Sequence, residues 1–246
     1  IIKMHLNKMT LHNQILEALQ FLSTPEKRDF LPYFFKTGKG EYAEGDQFIG
    51  VVVPDSRKLV KEYWQKATLD DVQEILKSEF HEMRLVALLI LVTKFEKTKD
   101  EKEKKTLVDF YLKNTKYINN WDLVDLSCYK LLGRYCFENQ KDEILKKLSN
   151  SENMWEKRIA IVATMYHIKK GSYDLTIELA LNNLNHSHDL MHKANGWLLR
   201  EMGKKDEEKL LNFLKTHYQN MPRTSLRYAI EKLDEDLRQD FLKGRI

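Results

Sequence analysis

Apolar side chains recur along this chain at the three- and four-residue spacing of helices that bury one face. Residues 10–22 carry the first such amphipathic pattern. Ser23-Thr24-Pro25-Glu26 then opens a second helix, with proline in the first turn, where its missing N–H is not needed. Residues 36–48 bring five charged side chains and three glycines and are expected to loop. The apolar stretch Phe48-Ile49-Gly50-Val51-Val52-Val53-Pro54-Asp55 permits a buried strand. Since Pro54-Asp55-Ser56-Arg57 opens a helix through Trp64, an apolar lead-in to that helix is the simpler reading.

From about residue 68 the pattern becomes regular. Thr68-Leu69-Asp70-Asp71 supplies a capping residue and an acidic first turn. Residues 82–95 are so apolar that a central packing helix is expected, and the charge run 97–105 reads as a solvated helix start or turn. Helical pairs follow at 121–137 with 139–148, 152–169 with 173–183, 188–202 with 206–218, and 222–232 with 234–243. Repeats of roughly 35–40 residues, each a pair of helices, mark an α-solenoid of the HEAT or armadillo type. The expected fold is therefore all-α: a curved single domain over 1–246, with a helical cap and loop at 1–67 and repeats at 68–246. One helix of each pair would line a concave, basic cleft.

A basic residue keeps step with these repeats. Arg84 to Arg158 is 74 residues, Arg158 to Lys193 is 35, and Lys193 to Arg227 is 34. The missing copy falls near position 121, where Asn119-Asn120-Trp121-Asp122-Leu123-Val124-Asp125-Leu126 puts a tryptophan and two aspartates in place of the cation. Trp121 reads as exposed there. On a helix Trp121 and Asp125, four apart, project from one side.

Composition narrows the class. Only 9 glycines and 4 prolines in 246 residues disfavour an all-β chain, and 42% hydrophobic with 32% charged residues suits a protein with a sizeable core. A formal charge of +4 permits a nucleic-acid partner without requiring one. Cys128 and Cys136 share one predicted helix and are expected as reduced, buried thiols of a cytoplasmic protein. No apolar run approaches the roughly 18–20 residues of a membrane span. Ile1-Ile2-Lys3-Met4-His5 lacks the longer apolar core of a signal peptide, and a start on Ile suggests trimming or a tag remnant.

The repeated cations allow two arrangements. Arg158, Lys193, Arg200 and Arg227 form a ladder for a phosphate backbone if equivalent helices face inward. Alternatively they pair with the acids of neighbouring repeats. Trp64 and Trp155 read as packing residues. Trp121 shares a face with Asp125, and Trp197 with Lys193 and Arg200, so each also has a charged neighbour. His186, His188 and His192 have metal-like spacing but only Asp189 for company, so neither a metal nor a cofactor is expected. Gly38-Lys39-Gly40 is no phosphate loop, since no Gly-Lys-Ser/Thr follows, and no Ser-His-Asp or Cys-His ordering stands out.

Five motifs then occur in one order: Phe48-Ile49-Gly50-Val51-x-x-Pro54-x-x-Arg57, Asn120-Trp121-Asp122-x-x-Asp125, Trp155-x-x-Arg158, Gly196-Trp197-x-x-Arg200 and Met221-Pro222-Arg223-Thr224-x-Leu226-Arg227-Tyr228-Ala229. Together they resemble the AlkD-like DNA alkylation repair family, the HEAT-like-repeat DNA glycosylases, over about residues 15–235. The resemblance implies an active cleft of Trp121, Trp197 and Asp125. It implies DNA-backbone contacts from Arg158, with Arg57 and Arg200 as helpers. The implied activity removes cationic N-alkylated purines, chiefly 7-methylguanine and 3-methyladenine, from double-stranded DNA while the lesion stays in the stack. Val52-Val53 departs from the family, which commonly has polar residues there.

The chemistry suits these residue types. Alkylation at N7 or N3 makes the purine a good leaving group without a strong general acid. Positive charge then moves to the deoxyribose, where a carboxylate such as Asp125 stabilises it and positions or deprotonates water. The indoles can pack on the cationic sugar. The expected function is thus a monomeric DNA N-glycosylase of base excision repair. A non-catalytic HEAT-repeat protein that binds unusual or damaged DNA is the alternative, and a protein-binding scaffold a weaker one.

Overall fold

A computed structural model describes residues 9–246. The opening stretch from Ile1 to His5 lies outside the described residues. Among the described residues the regular elements are all helices, with no strand. No described helix is long and apolar enough to cross a membrane. The chain divides into two compact units, the first ending at Ser127 and the second beginning at Cys128.

In the first unit, α1 (Leu11–Leu22) starts at Thr10, whose hydroxyl accepts the Asn13 amide, and α2 (Pro25–Phe34) starts at Thr24, whose hydroxyl accepts the Lys27 amide. These caps satisfy N–H groups that the first turn of a helix leaves unpaired. The loop after α2 ends in the apolar lead-in. Its Phe48–Val52 segment is not a strand, and α3 (Val53–Tyr63) follows directly. The lead-in is held against the α1–α2 junction: Ser23 donates its hydroxyl to the Ile49 carbonyl at 2.5 Å, and the Thr24 amide donates to the Gly50 carbonyl at 3.2 Å. Gly50 takes a φ of 101°, and a Cβ there would sit 2.7 Å from the Arg28 backbone nitrogen, so only glycine fits.

Next come α4 (Leu69–Leu76), opened by a Thr68–Asp71 capping box, and α5 (His81–Lys97). Every residue from His81 to Val92 is buried, which makes α5 the axis of this unit. Hydrophobic residues on all sides of a helix require neighbours on all sides. Helix α6 (Glu101–Lys113) begins inside the charge run, with Asp100 capping the Lys102 amide. Helix α7 (Trp121–Cys128) carries the Trp121-Asp122-x-x-Asp125 motif to the end of the unit.

In the second unit the expected helix 121–137 does not run unbroken. A π turn at Tyr129–Gly133 separates α7 from α8 (Arg134–Asn139). Gly133 lies so close to the next layer that a Cβ would meet the Ala163 carbonyl oxygen at 2.1 Å. The span 152–169 is likewise two helices, α10 (Met154–Ala163) and α11 (Met165–Lys169), after α9 (Asp142–Ser149). At the break Thr164 donates its hydroxyl to the Ile161 carbonyl at 2.7 Å. Then follow α12 (Asp174–Asn182), α13 (Asp189–Gly203), α14 (Glu207–His217), α15 (Arg223–Ala229) and α16 (Glu235–Lys243). Cys128 and Cys136 are buried and unbridged, and burial beside Asp142 and Glu143 pushes the Cys136 thiol well above its usual range. Trp155 is buried in the packing, as expected.

Candidate active site

The first two turns of α7 place Trp121 and Asp125 on the wall of one cavity of about 500 Å³. Phe34, Phe35 and Phe48 supply its aromatic side, and Val51, Val52, Val53 and Pro54 an aliphatic one. Leu31, Leu85 and Leu126 fill in between, while His81, Glu82 and Asp122 join Asp125 as its charged lining. The spacing argument for Trp121 and Asp125 is thus realised: both border the same space.

Trp121 is only half-buried, but its indole is not simply open. It stacks on Phe35 with ring centroids 5.3 Å apart and planes 21° apart, and meets Phe34 edge-on at 6.0 Å. Its Nε1–H donates to the Tyr42 hydroxyl at 3.3 Å. Residues of the helix-and-loop segment therefore set the plane of the indole. Asp125, one turn later, is half-buried.

Two acids of the lining are committed elsewhere. The buried Glu82 carboxylate accepts the amides of Ile49 at 2.9 Å, Gly50 at 2.8 Å and Val51 at 3.1 Å. This pins the lead-in that forms the aliphatic wall, including Val52 and Val53. Asp122 Oδ2 lies 2.8 Å from His81 Nε2, and His81 Nδ1 lies 3.1 Å from Asp46 Oδ2. Arg84 completes the group, with Nη2 donating to Asp46 Oδ1 at 2.5 Å. The His81 ring packs against Phe48 at 4.6 Å and Phe35 at 4.9 Å, and these two rings also stack on each other.

Burial alone would lower the basicity of His81, but the charge and hydrogen bond of Asp122, followed by those of Asp46, raise its pKa to about 9. Burial pushes the Asp46 carboxyl up. The His81 hydrogen bond and the Arg84 charge outweigh it and hold the carboxyl below its ordinary value. Arg57 sits half-exposed on α3, the helix whose first residues line the cavity.

The other candidates belong to the second unit. Trp197 is half-buried on α13, which packs against α15. The approach is close because position 196 is glycine: a Cβ there would lie 2.3 Å from the Ser225 carbonyl oxygen. Arg200, one turn beyond Trp197, pairs with Glu231 and lies 3.5 Å from Glu201. Lys193 pairs with Asp189 at 2.9 Å. Arg158 is 4% exposed, and its Nη1 donates to the Leu190 carbonyl at 2.5 Å. Arg227 is exposed on α15.

The evenly spaced cations therefore do not share one environment. Arg84 and Arg158 are interior, Lys193 and Arg200 pair with acids, and Arg227 faces solvent. Of these, Arg200 reaches an acid of the following helical pair, Glu231, whereas Lys193 pairs within its own helix and Arg84 with an acid of the loop. The histidines of the 186–192 stretch serve the local backbone: His186 Nδ1 accepts the His188 amide, and His188 Nδ1 accepts the Leu190 amide, each at 3.1 Å.

Sequence reasoning missed Phe34, Phe35, Tyr42, His81 and Glu82 as site residues. One signal was present: His81, Glu82 and Arg84 are polar residues that lead directly into the aliphatic run 85–92 of the same helix. Charges at such positions are buried only when paired.

Residues 15–233 match the family described as DNA alkylation repair enzyme. A solved structure, a predicted DNA alkylation repair enzyme from Enterococcus faecalis, is similar over 88% of this chain and 99% of its own, with a TM-score of 0.68 and 18% identity. At that identity the likeness is one of fold. No curated protein matches the chain. With nearly its whole length matched, the chain belongs to the DNA alkylation repair enzyme family.

Proposed function

We propose that this protein is a DNA N-glycosylase that hydrolyses the glycosidic bond of cationic alkylpurines in duplex DNA, with 7-methylguanine and 3-methyladenine as substrates. The observation that carries the reading is the shared cavity of Trp121 and Asp125. A carboxylate beside aromatic faces, with aliphatic walls to limit water, is what an oxocarbenium-like sugar requires. The alkylated base leaves with the bonding electrons, neutralising its own ring charge. Asp125 stabilises the cationic deoxyribose and orients the water that adds to C1′, taking its proton. The products are the free base and an abasic site.

In this reading Trp197 contributes the second indole. Arg57, Lys193, Arg200 and Arg227 hold phosphates of the duplex. Lys193 and Arg200 would exchange their present carboxylate partners for phosphate oxygens. Arg158, turned to the Leu190 carbonyl, is the least available of the set. The protein acts as a monomer in the cytoplasm, on double-stranded DNA and without a cofactor. Incubation with duplex DNA methylated at N7 of guanine should release free 7-methylguanine. Tight binding of that duplex with no release would instead establish a non-catalytic damage-binding protein.

A further inference from the structure

The most constrained group near the cavity is one that the proposed chemistry does not use. Both nitrogens of the His81 ring face carboxylate oxygens, Asp46 at 3.1 Å and Asp122 at 2.8 Å, and the residue is only 2% exposed. A neutral imidazole has one N–H, so it could serve only one of these acids and would turn a lone pair toward the other. Only the doubly protonated ring donates to both. Of the other charged groups of the site, Arg84, on the same helix, meets Asp46, Glu82 is turned to the Ile49, Gly50 and Val51 amides, and Asp125 lines the cavity one turn from Trp121. Phe35 and Phe48, stacked on each other, both pack against the ring.

Asp122 stands between Trp121 and the rest of α7, in the first turn of that helix. Its second oxygen, Oδ1, accepts the Leu123 amide at 2.8 Å. Asp122 thus ties the start of the helix to α5, and His81 is the tie. Phe35, which stacks on Trp121, also packs on His81. One cation therefore anchors both the helix bearing Trp121 and Asp125 and the ring on which Trp121 rests.

We propose that His81 is a positioning residue: as an imidazolium clamped between Asp46 and Asp122, it fixes the start of α7 and so the orientation of Trp121 and Asp125. This deepens the glycosylase reading and, for its effect on rate, rests on it. Loss of one ring proton would leave Asp122 or Asp46 facing a lone pair and release one end of the clamp. The pKa raised to about 9 places that release on the alkaline side of neutrality.

The test has two readouts. The first follows the His81 ring nitrogens of the wild-type protein by NMR from pH 6 to 10, together with the backbone amides of Trp121 and Leu123. Both ring protons should persist to near pH 9, with the two amides shifting at the same midpoint. A ring that titrates at an ordinary histidine pKa, or amides that ignore its titration, would overturn the clamp.

The second compares single-turnover release of 7-methylguanine by wild type and His81→Gln across the same range, with DNA affinity measured in parallel. The variant should be slowed about tenfold or more at pH 7, bind DNA within twofold of wild type, and lose the alkaline limb of the rate profile. Asp46→Asn, which removes only the far end of the clamp, should show the same pattern more weakly. Wild-type rate and an unchanged alkaline limb in His81→Gln would contradict the proposal. If His81→Gln fails to fold, the wild-type titration decides alone. Absence of base release by wild type, with the coupled titration intact, would sink the glycosylase reading and keep the clamp.

Discussion

Trp121 lies almost parallel to Phe35, with planes 21° apart and centroids 5.3 Å apart, while Phe35 in turn stacks on Phe48 at 4.9 Å. The proposed catalytic indole is therefore the outer member of an aromatic stack rooted in the core of the first unit. Its orientation depends on residues contributed by the end of α2 and the lead-in to α3.

Phe35→Ala should accordingly damage both stability and function. Truncating a buried phenylalanine typically costs about 3–5 kcal/mol. Urea unfolding should show a loss of that order, whereas Phe35→Leu, which keeps most of the volume, should lose less. Base release should fall in both variants, because each leaves the Trp121 indole without its stacking partner.

Glu82 offers a prediction of a different kind. Its carboxylate satisfies three amides, and removing it leaves three buried donors without a partner. An unsatisfied buried donor costs about 1–3 kcal/mol. Glu82→Ala should therefore destabilise the protein by at least about 3 kcal/mol in a denaturant titration. Glu82→Gln, which keeps one acceptor, should fall between. Equal stability of the wild type and Glu82→Ala would mean that the lead-in is held by its apolar contacts and the Ser23 and Thr24 hydrogen bonds without Glu82.

Two glycines of the second unit separate crowding from backbone strain. At Gly196 a Cβ would lie 2.3 Å from the Ser225 carbonyl oxygen and 2.5 Å from Tyr228 Cβ, so Gly196→Ala forces α13 and α15 apart. Overpacking of this kind costs about 1–3 kcal/mol and here would also displace Trp197. Gly171 has a φ of 76°, but a methyl added there would meet nothing within 4 Å, so Gly171→Ala should lower the melting temperature without touching base release. Comparing melting curves and activity for the pair distinguishes the two effects.

Stability should also depend on alkaline pH through His81. Its folded pKa, about 9, lies above the ordinary value of 6.5, so the folded state holds the proton more tightly. The resulting stabilisation is fully present below about pH 6.5 and is lost as pH rises through 9. A shift of this size corresponds to roughly 3 kcal/mol. Unfolding free energies at pH 7 and pH 10 should differ by that order in wild type and by much less in His81→Gln.

The helices and the Trp121–Asp125 pair were legible in sequence because both depend on short spacings. Caps such as Thr10, Thr24 and Thr68 act over three residues, and four residues bring Trp121 and Asp125 to one side of α7. The breaks at Tyr129–Gly133 and Thr164 were not legible, since they respond to the close approach of another layer at Ala163 and to a local hydroxyl bond. Arg84 was misleading for a related reason. Its spacing matched the other cations, but its partner Asp46 lies 38 positions away in a loop, where no periodicity points. Distance along the chain hid the site's supporting residues in the same way: Phe35 reaches Trp121 across 86 positions, and nothing local links them.

The most direct measurement is single-turnover excision of 7-methylguanine from duplex DNA by wild type and Asp125→Asn, with binding of the same duplex recorded alongside. Asparagine keeps the shape of the side chain but not the charge that would meet the cationic sugar. The glycosylase account predicts free base from the wild type, a rate lower by about a hundredfold or more in Asp125→Asn, and nearly unchanged affinity. Equal rates of release by the two proteins would contradict it.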